Sequence, residues 1–148
     1  MSRTIVRTAH RDDFEQWGVL WKGYNDFYKR QVADEVTRTT WGRFFDAYEP
    51  VHAFVAEREG QLMGIVHYLF HRNTAMIEPV CYLQDLYCNA ACRGEGIGRA
   101  LINAVYDAAR DMGATRVYWM THETNTQAMA LYDKVAERSG FIQYRKQL

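Results

Sequence analysis

The chain has 148 residues, 48% of them hydrophobic and 24% charged, with 18 Lys plus Arg balanced by 18 Asp plus Glu. That is the size and balance of one folded domain with its own core, expected to span residues 1–148, and its zero net charge provides no bulk attraction to nucleic acid or an anionic membrane. No apolar run approaches the roughly 20 residues that cross a bilayer. Three cysteines at 81, 88 and 92 are too few and too scattered for a disulfide framework; without the apolar centre of a secretory leader near the start, the expected setting is reducing and cytoplasmic.

In chain order, residues 4–8 read as a short β-branched strand. Asp12 or Asp13 then opens a helix to about residue 28, in which Phe14, Trp17, Leu20, Trp21, Tyr24 and Tyr28 form one stripe. Residues 31–35 are polar and read as loop, and 39–48 as a second helix with Trp41, Phe44, Phe45 and Tyr48 on one side. Strands at 51–57 and 62–71, separated by a turn at Gly60, predict a hairpin. A third long run covers 76–88. A helix at 99–112 buries Leu101, Ile102, Val105, Ala109 and Met112, and a strand at 116–121, a helix at 126–138 and a last strand at 141–145 follow. The order β-α-α-β-β-β-α-β-α-β is that of a mixed α/β domain.

The most informative segment joins the third strand run to the helix after it: Arg93-Gly94-Glu95-Gly96-Ile97-Gly98, followed by Arg99. Glycines beside arginines at a helix start let bare N–H groups and the positive end of the helix face one small space, which suits phosphate. Two familiar phosphate loops are excluded. A P-loop needs a Gly-Lys pair, which is absent, and a dinucleotide fingerprint starting at Gly96 would need glycine where Leu101 stands. That fingerprint would also sit earlier in a longer α/β unit.

Arg-x-x-Gly-x-Gly between strand and helix, carried here by Arg93, Gly96 and Gly98, resembles the pyrophosphate loop of the GNAT family of N-acetyltransferases. Upstream, Tyr82-Leu83-Gln84-Asp85-Leu86-Tyr87-Cys88 is similar to the family's fourth strand. Downstream, Asn125 and Leu131-Tyr132-Asp133-Lys134 are similar to its asparagine and its Leu-Tyr-x-Lys helix. The likeness is strong over about residues 80–145 and one of layout before that.

This resemblance implies a central mixed, mostly antiparallel sheet of about six to seven strands with helices on both faces. It implies direct transfer of acetyl from acetyl-CoA to a primary amine, with no metal. Residues 93–99 (Arg93, Gly94, Glu95, Gly96, Ile97, Gly98, Arg99) would hold the pyrophosphate, with Glu95 turned to solvent. Leu86, Tyr87 and Cys88 would offer a free strand edge to the pantetheine amides, and Asn125 would contact the same arm. Tyr132 would protonate the departing sulfur. The base is open: where related polyamine acetyltransferases have Leu-Glu-Asp, this chain has Leu83-Gln84-Asp85. Asp85 should lie on the opposite strand face from Gln84, and His122 and Glu123 are further candidates. The acceptor should lie between the aromatic first helix and the strand around Gln84.

The Leu131–Phe141 ending resembles a subgroup acting on small amines, amino acids or basic protein tails, and the family and the aromatic content suggest a homodimer. Two alternatives remain at this level: a CoA-binding sensor without turnover, for which Gln84 is the best argument, and a transferase of another acyl group such as succinyl. His67 and His71 share a strand face but carry no metal-site pattern, and Cys88 and Cys92 flank the loop as buried or redox-sensitive thiols.

Overall fold

The computed structural model describes residues 3–148. Its elements are β1 (Ile5–Thr8), a 3-10 turn at Arg11–Asp13, α1 (Phe14–Phe27), α2 (Asp34–Arg43), β2 (Val51–Arg58), β3 (Gln61–His71), β4 (Val80–Cys88), a second 3-10 turn at Ala90–Cys92, α3 (Ile97–Asp111), β5 (Val117–Tyr118) and α4 (Thr126–Val135). The strands form one sheet in chain order, antiparallel throughout except for the parallel β4–β5 pair. This is the expected mixed α/β architecture with five strands rather than six or seven. Among the described residues no helix is long and apolar enough to cross a membrane.

The alternation of strand side chains builds two cores. On one face, Ala53, Val55, Leu62 and Ile65 pack with Trp17, Leu20, Trp21 and Tyr24 of α1 and Trp41 of α2. On the other, Ala56, Val66, Tyr68 and Leu83 pack against Ile97, Leu101, Ile102, Val105 and Ala109 of α3. The α1 stripe stacks ring on ring: Trp17 to Trp21 at 5.9 Å and Trp21 to Tyr24 at 5.5 Å, nearly parallel in each case. Its start is tied to the sheet by Arg7, which donates to both carboxylate oxygens of Asp13 (2.8 and 3.0 Å) and to Glu57 (2.9 Å). Burial of these apolar faces fixes the sheet between its helices.

Several expectations are corrected. The second helix runs five residues earlier than expected: Asp34 and Glu35 occupy its first turn, where carboxylates complement the helix dipole, and Arg38 reaches back to Asp34 at 2.8 Å. Tyr48 and Met112, both expected on buried sides, are 97% and 58% exposed, Met112 because α3 ends one residue before it. The strand at 116–121 shrinks to two residues, and residues 136–148 form no helix or strand. Alternating side chains alone do not make a strand; it needs an edge to bond, and the two-residue β5 offers almost none.

The α3 tip rests on Gly64 of β3. A Cβ there would meet Ile97 Cγ2 at 2.9 Å, Leu101 Cδ1 at 3.0 Å and the Tyr87 carbonyl oxygen at 3.1 Å. Gly64→Ala is therefore expected to cost about 1–3 kcal/mol in urea unfolding, the usual range for overpacking; an unchanged midpoint would show that the tip has slack.

Candidate active site

The site begins where the sheet splits. β4 and β5 pair only through Cys81 with Val117 and Tyr82 with Tyr118, while on its other side β4 stays paired with β3 as far as Cys88. The β5-facing edge of β4 therefore loses its strand partner over Leu86, Tyr87 and Cys88, all half-buried. A half-buried edge of unpaired N–H and C=O groups is a template for a ligand with amides of its own.

At the end of β4 the chain turns through 90–92, with Asn89 accepting from the Ala91 N–H at 3.1 Å. It then enters the glycine loop. Gly94 and Gly96 have φ of +84° and +82°, and an added Cβ at either would project into open space. Left-handed backbone, rather than crowding, selects glycine there. Gly96 is the N-cap of α3, no side chain caps that helix, and its first turn holds no acid. Its leading N–H groups thus face outward beside a positive helix end.

Glu95 does not compete for that space, because it turns to Arg58 on β2, with both carboxylate oxygens 3.4 Å from Nη1. Arg93 lies over the Phe27 ring at 5.9 Å, and Arg99 is exposed on the first turn. Ile97 is 3% exposed, so its side chain anchors the tip in the core and only its backbone can serve a ligand. Gly98 works differently: its Cβ position lies 3.4 Å from Leu131 and 3.6 Å from Cys88 Sγ, which lets α3, α4 and β4 meet closely.

Across the split, α4 presents Asn125 and Tyr132. Asn125 occupies the N-cap position of α4 yet makes no capping bond; its amide lies 3.5 Å from Thr121 Oγ1 and reaches the Tyr28 hydroxyl of α1. Tyr132 is half-buried with its ring edge-on to Trp119 at 5.4 Å. Burial, then the neighbouring Tyr28 and Cys88, push its phenol up to about 12, so it is a protonated donor at neutral pH. Burial likewise pushes the Cys88 thiol up to about 11, with Arg93 pulling it down only partly.

On the α1 side, a β-bulge reshapes β4. His67 pairs with Asp85 and Tyr68 with Leu83, which leaves Gln84 as the extra residue. The expected opposition of Gln84 and Asp85 is thereby broken: both line one cavity of about 390 Å³ together with Trp21, Arg30, Phe44 and His67.

Asp85 and His67, both buried, bond through Oδ2 and Nδ1 at 2.9 Å. Trp17 donates its indole N–H to His67 Nε2 at 3.0 Å. Since an indole N–H only donates, Nε2 is the acceptor and the imidazole proton is on Nδ1, directed at Asp85. Asp85 is the acceptor in this arrangement. Tyr24 also bonds Asp85, and its phenol is raised well above its ordinary range by burial first and by that carboxylate second.

His67, weighed in the sequence only as a metal ligand, is paired instead with Asp85, a partner fixed by cross-strand register. His122 instead bonds Thr124 within the turn before α4, and neither it nor Glu123 lines the cavity. His71 bonds the Tyr118 hydroxyl at the surface. Among the described residues, no three His, Cys, Asp or Glu side chains converge.

The model of the acetyltransferase (GNAT) family matches residues 10–136. The D-amino-acid N-acetyltransferase HPA3 of Saccharomyces cerevisiae is 36% identical over 146 residues, 97% of this chain and 91% of its own length. A thialysine N-epsilon-acetyltransferase of Caenorhabditis elegans is 31% identical over 57% of this chain and 52% of its own. Among solved structures, the aminoglycoside N-acetyltransferase AAC(6')-Iy in complex with CoA superposes with a TM-score of 0.85 at 20% identity, covering 100% of this chain and 97% of that one. A ribosomal-protein-alanine N-acetyltransferase from Brucella melitensis superposes with a TM-score of 0.82 at 17% identity, over 99% of both chains. The chain belongs to the GNAT acetyltransferase family and is an acyl-CoA-dependent N-acyltransferase.

Proposed function

We propose that this enzyme transfers acetyl from acetyl-CoA directly to the primary amine of a small molecule. The observation that carries the reading is the split sheet, with a donor-lined helix tip at its base and an open cavity lined by Asp85 on its α1 side. The yeast relative that acts on D-amino acids supports an acceptor of this size, and the CoA complex of the aminoglycoside enzyme supports CoA as the carrier.

In this reading the pyrophosphate takes the N–H groups at 94–99, the pantetheine amides bond the edge at Leu86, Tyr87 and Cys88, and Asn125 steadies the arm. The amine nitrogen attacks the thioester carbonyl, the C–S bond breaks, and the amine proton passes to the carboxylate of Asp85. A lysine-like ammonium costs about 4.6 kcal/mol to deprotonate at neutral pH, the α-ammonium of a peptide only about 1 kcal/mol. His67 holds Asp85 in place through the bond fixed by Trp17. Gln84, which cannot take a proton, contributes an amide contact in the cavity wall.

Tyr132 assists the sulfur. A full proton transfer from a phenol near 12 to a thiolate near 8.5 would cost about 5 kcal/mol. Its role is therefore a hydrogen bond to charge building on sulfur.

A homodimer, which the family resemblance implies, has support in residues 136–148. Phe141 is 90% exposed, Ile142 78% and Tyr144 90%, and the sheet ends in the short β5. Apolar side chains this open gain by packing on a second copy.

Free CoA release in the presence of an amine panel tests the function; tight CoA binding with no turnover on any amine would instead favour a sensor. Gly96→Asp should weaken CoA binding about tenfold or more by calorimetry, since like charges in contact cost several kcal/mol; unaltered binding would move the pyrophosphate elsewhere. Tyr132→Phe and Asp85→Asn should each lower kcat about 100-fold with CoA affinity kept within about twofold, and a variant that retains wild-type turnover loses its assigned role. Light scattering should give twice the 17.3 kDa chain mass, falling to one chain for Phe141→Asp with Ile142→Asp; a wild-type monomer would refute the dimer.

A further inference from the structure

The cavity lined by Asp85 carries the opposite charge on another part of its wall. Arg30 lines it, just beyond the end of α1. The arginine is held by design of the local chain: its backbone N–H donates to the Asn25 carbonyl oxygen at 2.9 Å, and its Nε donates to Asn25 Oδ1 at 2.8 Å. Asn25 is itself buried, 4% exposed, and fixed by donating to the Trp21 carbonyl oxygen at 2.9 Å. The guanidinium lies over the rings of Trp21 and Tyr24, at 6.0 and 5.6 Å from their centroids.

Among the described residues no carboxylate pairs with Arg30, so both Nη groups remain for a ligand, in the planar fork that suits a carboxylate. A second donor without a partner belongs to a residue of the same wall. Trp21 is 8% exposed, and its indole N–H is the one buried side-chain donor with no partner among the described residues. A buried donor is rarely left so without water or a ligand to receive it.

The two charges line one cavity, and Tyr24 touches both: it bonds Asp85 and lies under the Arg30 guanidinium. Part of the wall is apolar, with Phe44, Val36 and Val51. Arg43, Thr40, Gln84 and His67 also line the wall, but Arg43 faces its own carboxylate, Glu49, at 3.8 Å and His67 is engaged by Asp85. An anion, an unpaired fork-shaped cation and apolar side chains in one wall match a zwitterion that carries an apolar side chain.

We propose that the acceptor is a free α-amino acid with an apolar side chain, and that Arg30 reads its carboxylate while the amine faces Asp85. The inference rests on the transferase reading and narrows its acceptor. Arg30 is then a specificity residue: it holds the substrate carboxylate and takes no part in bond making.

The test compares three matched acceptors in the CoA-release assay: phenylalanine (both enantiomers), its methyl ester and phenethylamine. Wild-type enzyme should prefer at least one phenylalanine enantiomer over ester and amine by about tenfold or more in kcat/KM, through KM, as expected when a hydrogen-bonded charge is lost. In Arg30→Gln that preference should collapse towards one, and Arg30→Lys should restore part of it. Equal use of all three by wild type, or a preference that survives Arg30→Gln, overturns this proposal and leaves the transferase intact. No turnover of any amine, with CoA still bound, overturns the transferase reading and this inference together. The wild-type comparison stands even if a variant fails to fold.

Discussion

An unfinished strand pairing underlies everything else in this protein. β4 bonds β3 along its length but bonds β5 at only two residue pairs. Buried backbone polar groups need partners, so a sheet opened in its interior demands a visitor that can supply them. The glycine loop and the α3 tip lie at the end of this opening, and α4 with Asn125 and Tyr132 lies across it. A β5 about six residues longer in the same register would seal the edge as far as Cys88 and leave a stable domain with nowhere for an amide-bearing arm.

The second constraint is the bulge at Gln84. Regular alternation would send Gln84 and Asp85 to opposite faces. One extra residue swings both into the cavity under α1 and lets Asp85 meet His67 across the strands. The Trp17 N–H then fixes which imidazole nitrogen carries the proton. The aromatic stripe that packs α1 on the sheet therefore also orders a buried acid. Removing Trp17 would disturb packing and protonation geometry at once.

Local features were legible in the sequence, and long-range ones were not. The glycine loop, α3, and the positions of Asn125 and Tyr132 follow from neighbours within one turn or one helix, and they lie where expected. The start of α2 was missed because Asp34 and Glu35 read equally as loop residues or as a dipole-matched first turn. The His67–Asp85 bond joins residues 18 apart across a loop and a bulge, and nothing in the linear pattern sets that register. The run at 141–145 has a strand's alternation, yet pairing depends on an edge elsewhere in space. Arg30 gave no signal either, since only folding brings it over Trp21 and opposite Asp85.

The thiol of Cys88 stands at the mouth of the split, beside Tyr132 and under the Gly98 backbone. A sulfur nucleophile next to an activated thioester invites self-acylation, and attack needs the anion. With its acidity moved to about 11, roughly one thiol in ten thousand is ionised at neutral pH. Desolvation thus keeps the protein's own sulfur inert toward the reactive carbonyl proposed to pass along that edge, and leaves the incoming nitrogen as the competent attacker.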